Sequence, residues 1–203
     1  MTLILVIGCS GCWEEIRYES SDVVPREIES TLPESSALAA WRMASKWSFA
    51  VALCAKGLDV DRYGEYLKQA GHAANSLQIE LPDLPQHIPA EEREKTLIDF
   101  LLEEASPDLS RQLLTRYDAQ HAALAELAVK THLLLLIYTP NSPQVEPLLS
   151  AVRRAAKDSS LPQGVWQDLV TRLSERAEFE HVKAAIYALH RQALDGLGGE
   201  SHP

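Results

Sequence analysis

From residue 31 onward the chain is punctuated as helices and nothing else. Runs with apolar residues three and four apart are separated by prolines, glycines and capping residues, and no alternating apolar–polar stretch of strand length interrupts them. Thr31-Leu-Pro-Glu34 has the form of a capping box. In such a box a threonine hydroxyl accepts from an early amide and a glutamate three residues on reaches back. Leu38, Trp41, Ser45, Ser48 and Phe49, Ala52 and Leu53 then run at helical spacing to Gly57. That glycine suits the left-handed position after a helix, with Leu58 placed to touch Leu53. Asp59 can cap a second helix carrying Val60, Tyr63, Leu67, Ala70, Ala74 and Leu77. The proline-rich stretch 79–89 must be irregular, yet Ile79, Leu81, Leu84 and Ile88 should anchor it to the core.

A third helix is predicted after Pro89, running to about Ala105. Ser106-Pro107 then restarts the chain, serine as cap and proline at the first helical position. No glycine or proline appears again before Pro140, so the pattern predicts one long helix over 107–139. It becomes apolar on every side from Leu133, which places that end at the centre of the fold. Helices at about 144–158, 161–176 and 178–196 follow, the middle one opened by a second box, Ser160-Leu-Pro-Gln163. The expected fold is a single all-α domain over 31–198, about seven helices around one long central helix, with a fraying tail at 199–203. A weak internal duplication is also visible. Residues 44–57 and 128–141 each carry a lysine third, an apolar run and then a breaker, about 84 residues apart. Amphipathic helices of similar length give such likeness without duplication.

Composition limits the partners. With 29 acidic and 19 basic side chains the formal net charge is -10. Such a chain repels phosphate backbones and anionic membrane surfaces, which argues against nucleic acid. The longest strongly apolar run outside the N-terminus, Leu133 to Tyr138, is far below the roughly 20 residues a bilayer requires.

Val6-Ile7-Gly8-Cys9 closes the apolar opening of the chain. These four residues resemble the lipobox of bacterial lipoproteins. The resemblance implies cleavage before Cys9 and a diacylglyceryl group on its sulfur. Residues 1–8 would then be a truncated signal segment and 9–30 a polar, acidic tether. It further implies a lipid-anchored protein of the bacterial cell envelope. No Lys or Arg precedes the apolar run, and a start upstream of Met1 would supply the missing charge. An apolar terminus packed into the core, in a cytoplasmic protein, is the alternative. Cys9 and Cys12 also form a CxxC, but no sheet follows to make it a thioredoxin-like pair. A zinc site would need two further ligands at similar spacing. Cys54 reads as a small buried residue.

Two carboxylate–imidazole pairs stand at i, i+3: Asp118 with His121, and Glu178 with His181. Di-metal helical bundles use paired Glu-x-x-His motifs together with two further carboxylates. Here Asp replaces one Glu, and the two extra carboxylates cannot be assigned. The plainer readings are that Glu178 favours a helix start and that Asp118 and His121 lie at a wet stripe edge. His132, before four leucines, reads as a core histidine bonded to a carbonyl, with a catalytic base as the other reading. His190, beside Arg191, reads as solvated. Trp41 and Trp47 are six residues apart and cannot share a narrow stripe. Either both are internal, or one is exposed and marks a partner surface. Trp166 reads as core. No phosphate loop, GxSxG elbow, HExxH or CxxCH is present. The expectation is therefore a non-catalytic helical interaction or scaffold module without a cofactor, acting on a protein partner. The competing expectation is a metal-binding bundle using Asp118, His121, Glu178 and His181.

Overall fold

The computed structural model describes residues 35–57, 60–85 and 87–198. The Cys9 site, the tether, the Thr31–Glu34 box, the Leu58 contact, the Asp59 cap and the 199–203 tail lie outside the described residues. Within them the chain is a single all-helical domain with no strand. Its helices are α1 (Ser36–Ala55), α2 (Val60–Leu77), α3 (Arg93–Phe100), α4 (Ser106–Arg116), α5 (Ala119–Ile137), α6 (Val145–Asp158), α7 (Gln163–Ser174) and α8 (Phe179–Gly198). A π-helical turn, Leu101–Ala105, joins α3 to α4 without a break, so the described helices form seven rods.

Two boundaries differ from the sequence pattern. Pro107 does not restart the chain; it sits inside the α3–α4 rod. A proline has no N–H to give and its ring collides with the carbonyl four residues back. The chain accommodates it by widening the preceding turn, where the Ser106 N–H bonds the Leu101 carbonyl five residues back. The predicted 107–139 helix, in turn, is broken at Tyr117 and Asp118, both outside the helical conformation and Asp118 extended. The Asp118 carboxylate accepts from the His121 N–H and caps a new helix. The Tyr117 hydroxyl is drawn off to the Leu77 carbonyl. The central helix is therefore α5 alone, 19 residues long.

Helix ends share one device. Gly57, Gln78, Ser160 and Arg176 all take positive φ, between 54° and 73°, just past α1, α2, α6 and α7. The Ile79 N–H reaches the Ala74 carbonyl, and the Ala177 N–H the Arg172 carbonyl, which closes the last turns. Ser160 thus ends α6 and does not cap α7, whose start carries no side-chain cap. Only Gly57 adopts this conformation without a Cβ penalty. Gly57→Ala, at φ 73° and with Arg93 Nη1 3.2 Å from the new methyl, should cost about 1–2 kcal/mol of stability in urea denaturation.

The core is built on α1 and α5, which are buried over almost their whole lengths. They run parallel, because Ser36 bonds His121 near one end and Ser48 bonds His132 eleven residues further along α5. α2 packs along α1, α6 along α5, and α4 closes on α5. The helix order of the first half recurs in the second. α1 and α2 correspond to α5 and α6, and the α3–α4 rod to α8, each displaced by about 84 residues. Where the second half has α7, the first has the irregular stretch after Leu77. Ile79 is buried there, Leu81, Leu84 and Ile88 are half-buried, and the Gln112 amide pairs with both the N–H and the carbonyl of Glu80.

Candidate functional site

The polar groups that the fold gathers are not those the sequence singles out. On α1, Trp41, Ser45 and Ser48 follow at four and three residues, so they share one face. That face meets Thr131 and His132 of α5 and His190 of α8. All six are buried: Ser45 and Ser48 are 6% and 0% exposed, Thr131 0%, His132 and His190 1% each, and Trp41 0%. The two imidazole rings lie 4.6 Å apart, and the Trp41 indole lies 4.9 Å from that of His190.

The hydrogen bonds fix where each proton sits. His132 Nδ1 is 3.0 Å from the Ala128 carbonyl, which can only accept, so Nδ1 carries the hydrogen. It also reaches Ser48 Oγ at 2.9 Å, and the Ser48 hydroxyl donates to the Ala44 carbonyl. The Thr131 hydroxyl donates to the Ala128 carbonyl and therefore accepts from His190 Nε2–H at 2.8 Å. That leaves His190 Nδ1 as the acceptor for the Ser45 hydroxyl at 3.2 Å. Both rings are neutral, in opposite tautomers. Two buried atoms of this cluster have no hydrogen-bond partner: the Trp41 Nε1–H donor and the His132 Nε2 acceptor.

Burial is the main cause of their electrostatics. It pushes His132 down from 6.5 to about 4, with the Ala128 bond opposing and the positive charge of Lys46 assisting. His190 is held well below the ordinary histidine range by burial, then by His132 and Lys46. Lys46 lies over the Tyr66 ring of α2, 5.4 Å from its centre. Lys46 is half-buried, whereas Lys130, 84 residues on, is buried; burial lowers its ammonium pKa, Glu126 beside it opposes that, and Arg154 assists. Chemically the cluster can donate and accept internally and hold two imidazoles neutral. It offers no open face to a substrate.

The sequence-derived candidates lie elsewhere. Asp118 caps α5 and accepts from the His121 ring at 2.7 Å, which holds its carboxyl below the ordinary range. His121 is buried, stacked on Tyr117 at 4.8 Å and bonded through Nε2 to Ser36 at 2.8 Å. Glu178 and His181 are exposed at the start of α8. The Tyr138 hydroxyl, at the far end of α5, donates to the neighbouring Ala177 carbonyl. The two pairs are therefore separated by the length of α5, about 28 Å at 1.5 Å per residue, and do not converge. Among the described residues no group of three His, Cys, Asp or Glu side chains is placed to hold a metal.

Trp41 and Trp47 are both buried, Trp47 against Phe100 with ring centres 6.0 Å apart, so neither indole reaches the surface. Trp166 is half-buried, not core, and Cys54 is half-buried with a free thiol. His132 has the carbonyl partner expected of it. His190 is not solvated: it sits on the apolar stripe of Val182, Ile186, Leu189 and Ala193, and that spacing was the signal for its burial. Comparison with protein-family models, with curated proteins and with solved structures gives no match for this chain.

Proposed function

We propose that the protein is a non-catalytic helical interaction or scaffold module, held at a bacterial envelope membrane by lipid on Cys9. The observation that carries the reading is how its reactive side chains are used. Asp118 and His121 are engaged in capping and bracing α5, and His132 and His190 are bonded inside a sealed core. Each is used to fix helices against one another, which is what a rigid binding platform requires. Leu114, 54% exposed, is the one large apolar side chain exposed among the described residues. The partner is accordingly a protein recognised by polar and charged contacts, and the net charge of -10 favours a basic surface on it. The lipobox-like residues 6–9 support the anchor. A flexible tether of about 20 residues would let the domain stand roughly 25 Å from the bilayer.

Native and intact-mass spectrometry of the protein isolated from its own cells tests both parts. The expected species begins at Cys9, carries a diacylglyceryl mass and retains a protein partner at fixed stoichiometry. A chain that starts unmodified at Met1 or Thr2 removes the anchor. Stoichiometric iron, manganese or zinc, lost in His121→Ala or His181→Ala, replaces the module with a metal-binding bundle.

A further inference from the structure

We propose that the His132–His190 cluster is an acid-sensitive latch that releases the α7–α8 hairpin from the α1–α5 core. α8 packs most extensively on α7, while its contact with α1 and α5 is narrow. Polar links cross that contact at both ends and in the middle. The Ser35 hydroxyl donates to the Leu197 carbonyl near the α8 C-terminus, and Tyr138 donates to Ala177 beside its start. Between them, His190 bridges Ser45 of α1 and Thr131 of α5. Of these links, the one through His190 is the one a proton can reverse.

A proton on either ring would place a positive charge in the core. Protonating His190 at Nδ1 turns the Ser45 hydroxyl from donor into acceptor, and the displaced hydroxyl hydrogen needs another acceptor in the core. Protonating His132 at Nε2 creates a buried N–H without an acceptor, and the other unpartnered atom of the cluster, Trp41 Nε1–H, is itself a donor. Two imidazolium rings 4.6 Å apart would repel as well. Charged neighbours add to this. Lys46 of α1 acts on both rings, the group beneath it from α2 is the Tyr66 ring, and Arg191 of α8 is exposed. Both rings are bonded only to hydroxyls and a carbonyl, so no carboxylate bonded to either stabilises the cation. A buried cation without a partner is relieved by opening to water. The α8 contact is narrow beside those of α2 with α1 and of α6 with α5, so opening there leaves the larger packing intact. Release uncovers the α8 stripe of Val182, Ile186, Leu189 and Ala193 and the α1 face around Trp41 as a new apolar surface.

Hydrogen exchange of the full chain at pH 7.5 and pH 5.0, each corrected for intrinsic rate, tests the latch. Protection of α7 and α8 amides should fall at least about tenfold at the lower pH, while α2 and α6 change by less than about twofold. Protection of α8 that is equal at both pH values overturns the proposal. So does a loss shared equally by α2 and α6, which is global unfolding. His190→Gln should shrink the pH dependence in α7 and α8, leaving the part that His132 contributes; an unchanged dependence overturns the latch. If that variant does not fold, Ser45→Ala replaces it. That variant removes the α1 half of the His190 bridge, so opening costs less and the loss of protection should move to higher pH; an unmoved midpoint overturns the latch.

Discussion

Trp41→Ala should lower the unfolding free energy by about 3–5 kcal/mol, the range for removing a large aromatic from a packed core. Denaturant titration should show the lowered midpoint with little change in slope. The indole is 0% exposed, lies against His190, and faces the point where α1, α5 and α8 meet. Neither neighbouring helix can collapse into the space without breaking the Ser45 and Thr131 bonds to His190. Trp41→Phe is the informative companion. Its Nε1–H has no hydrogen-bond partner, so deleting that donor removes a desolvation penalty and offsets part of the lost volume. Trp41→Phe should therefore cost far less than Trp41→Ala. Equal losses would mean that the N–H is satisfied.

The second large effect is the dependence of stability on acid. His132 is neutral in the folded protein down to about 4, whereas in the unfolded chain it takes a proton near 6.5. Below 6.5 the unfolded state binds the extra proton, so stability falls with pH. The contribution is fully present above 6.5 and is lost as pH falls toward 4. At about 1.4 kcal/mol per unit of difference the total for His132 is roughly 3 kcal/mol. His190 acts in the same direction. Chemical denaturation at pH 7 and pH 4.5 should show this loss in the wild type. The difference should shrink in His132→Gln, which leaves the exposed carboxylates untouched. An equal loss in both proteins would assign the acid sensitivity to those carboxylates.

The helices were readable because each ends on a local signal. Gly57 adopts the positive φ its position implied, and the three last helices begin and end within two residues of the expected bounds. What local signals could not fix was the choice between two uses of one residue. Pro107 fits a first helical position and also a π turn; the choice depends on α3 already being docked against α1, which is a tertiary fact. Asp118 carried the cap signal for α5, but it lies between Tyr117 and Gln120 in a stretch without glycine or proline and reads as continuous helix. The same holds for the candidate site. Asp118, His121, Glu178 and His181 share a spacing, yet spacing along one helix says nothing of the distance between two helices, and the pairs sit at opposite ends of α5. The buried cluster needs Ser45, Ser48, Thr131, His132 and His190 from three helices. Only the parallel packing of α1 on α5, with Ser48 opposite the residue 84 positions on, brings them together.

Two neutral histidines, sealed in the core, tie α1, α5 and α8 together. Nitrogen-15 NMR of the imidazoles through a pH titration tests this most directly, because ring-nitrogen shifts report both charge and tautomer. The expected spectrum has His132 protonated at Nδ1 and His190 at Nε2, both unchanged as the pH falls through 6.5 to the point where the fold opens. Either ring titrating near 6.5 in the intact fold, or His132 carrying its proton on Nε2, would contradict the account.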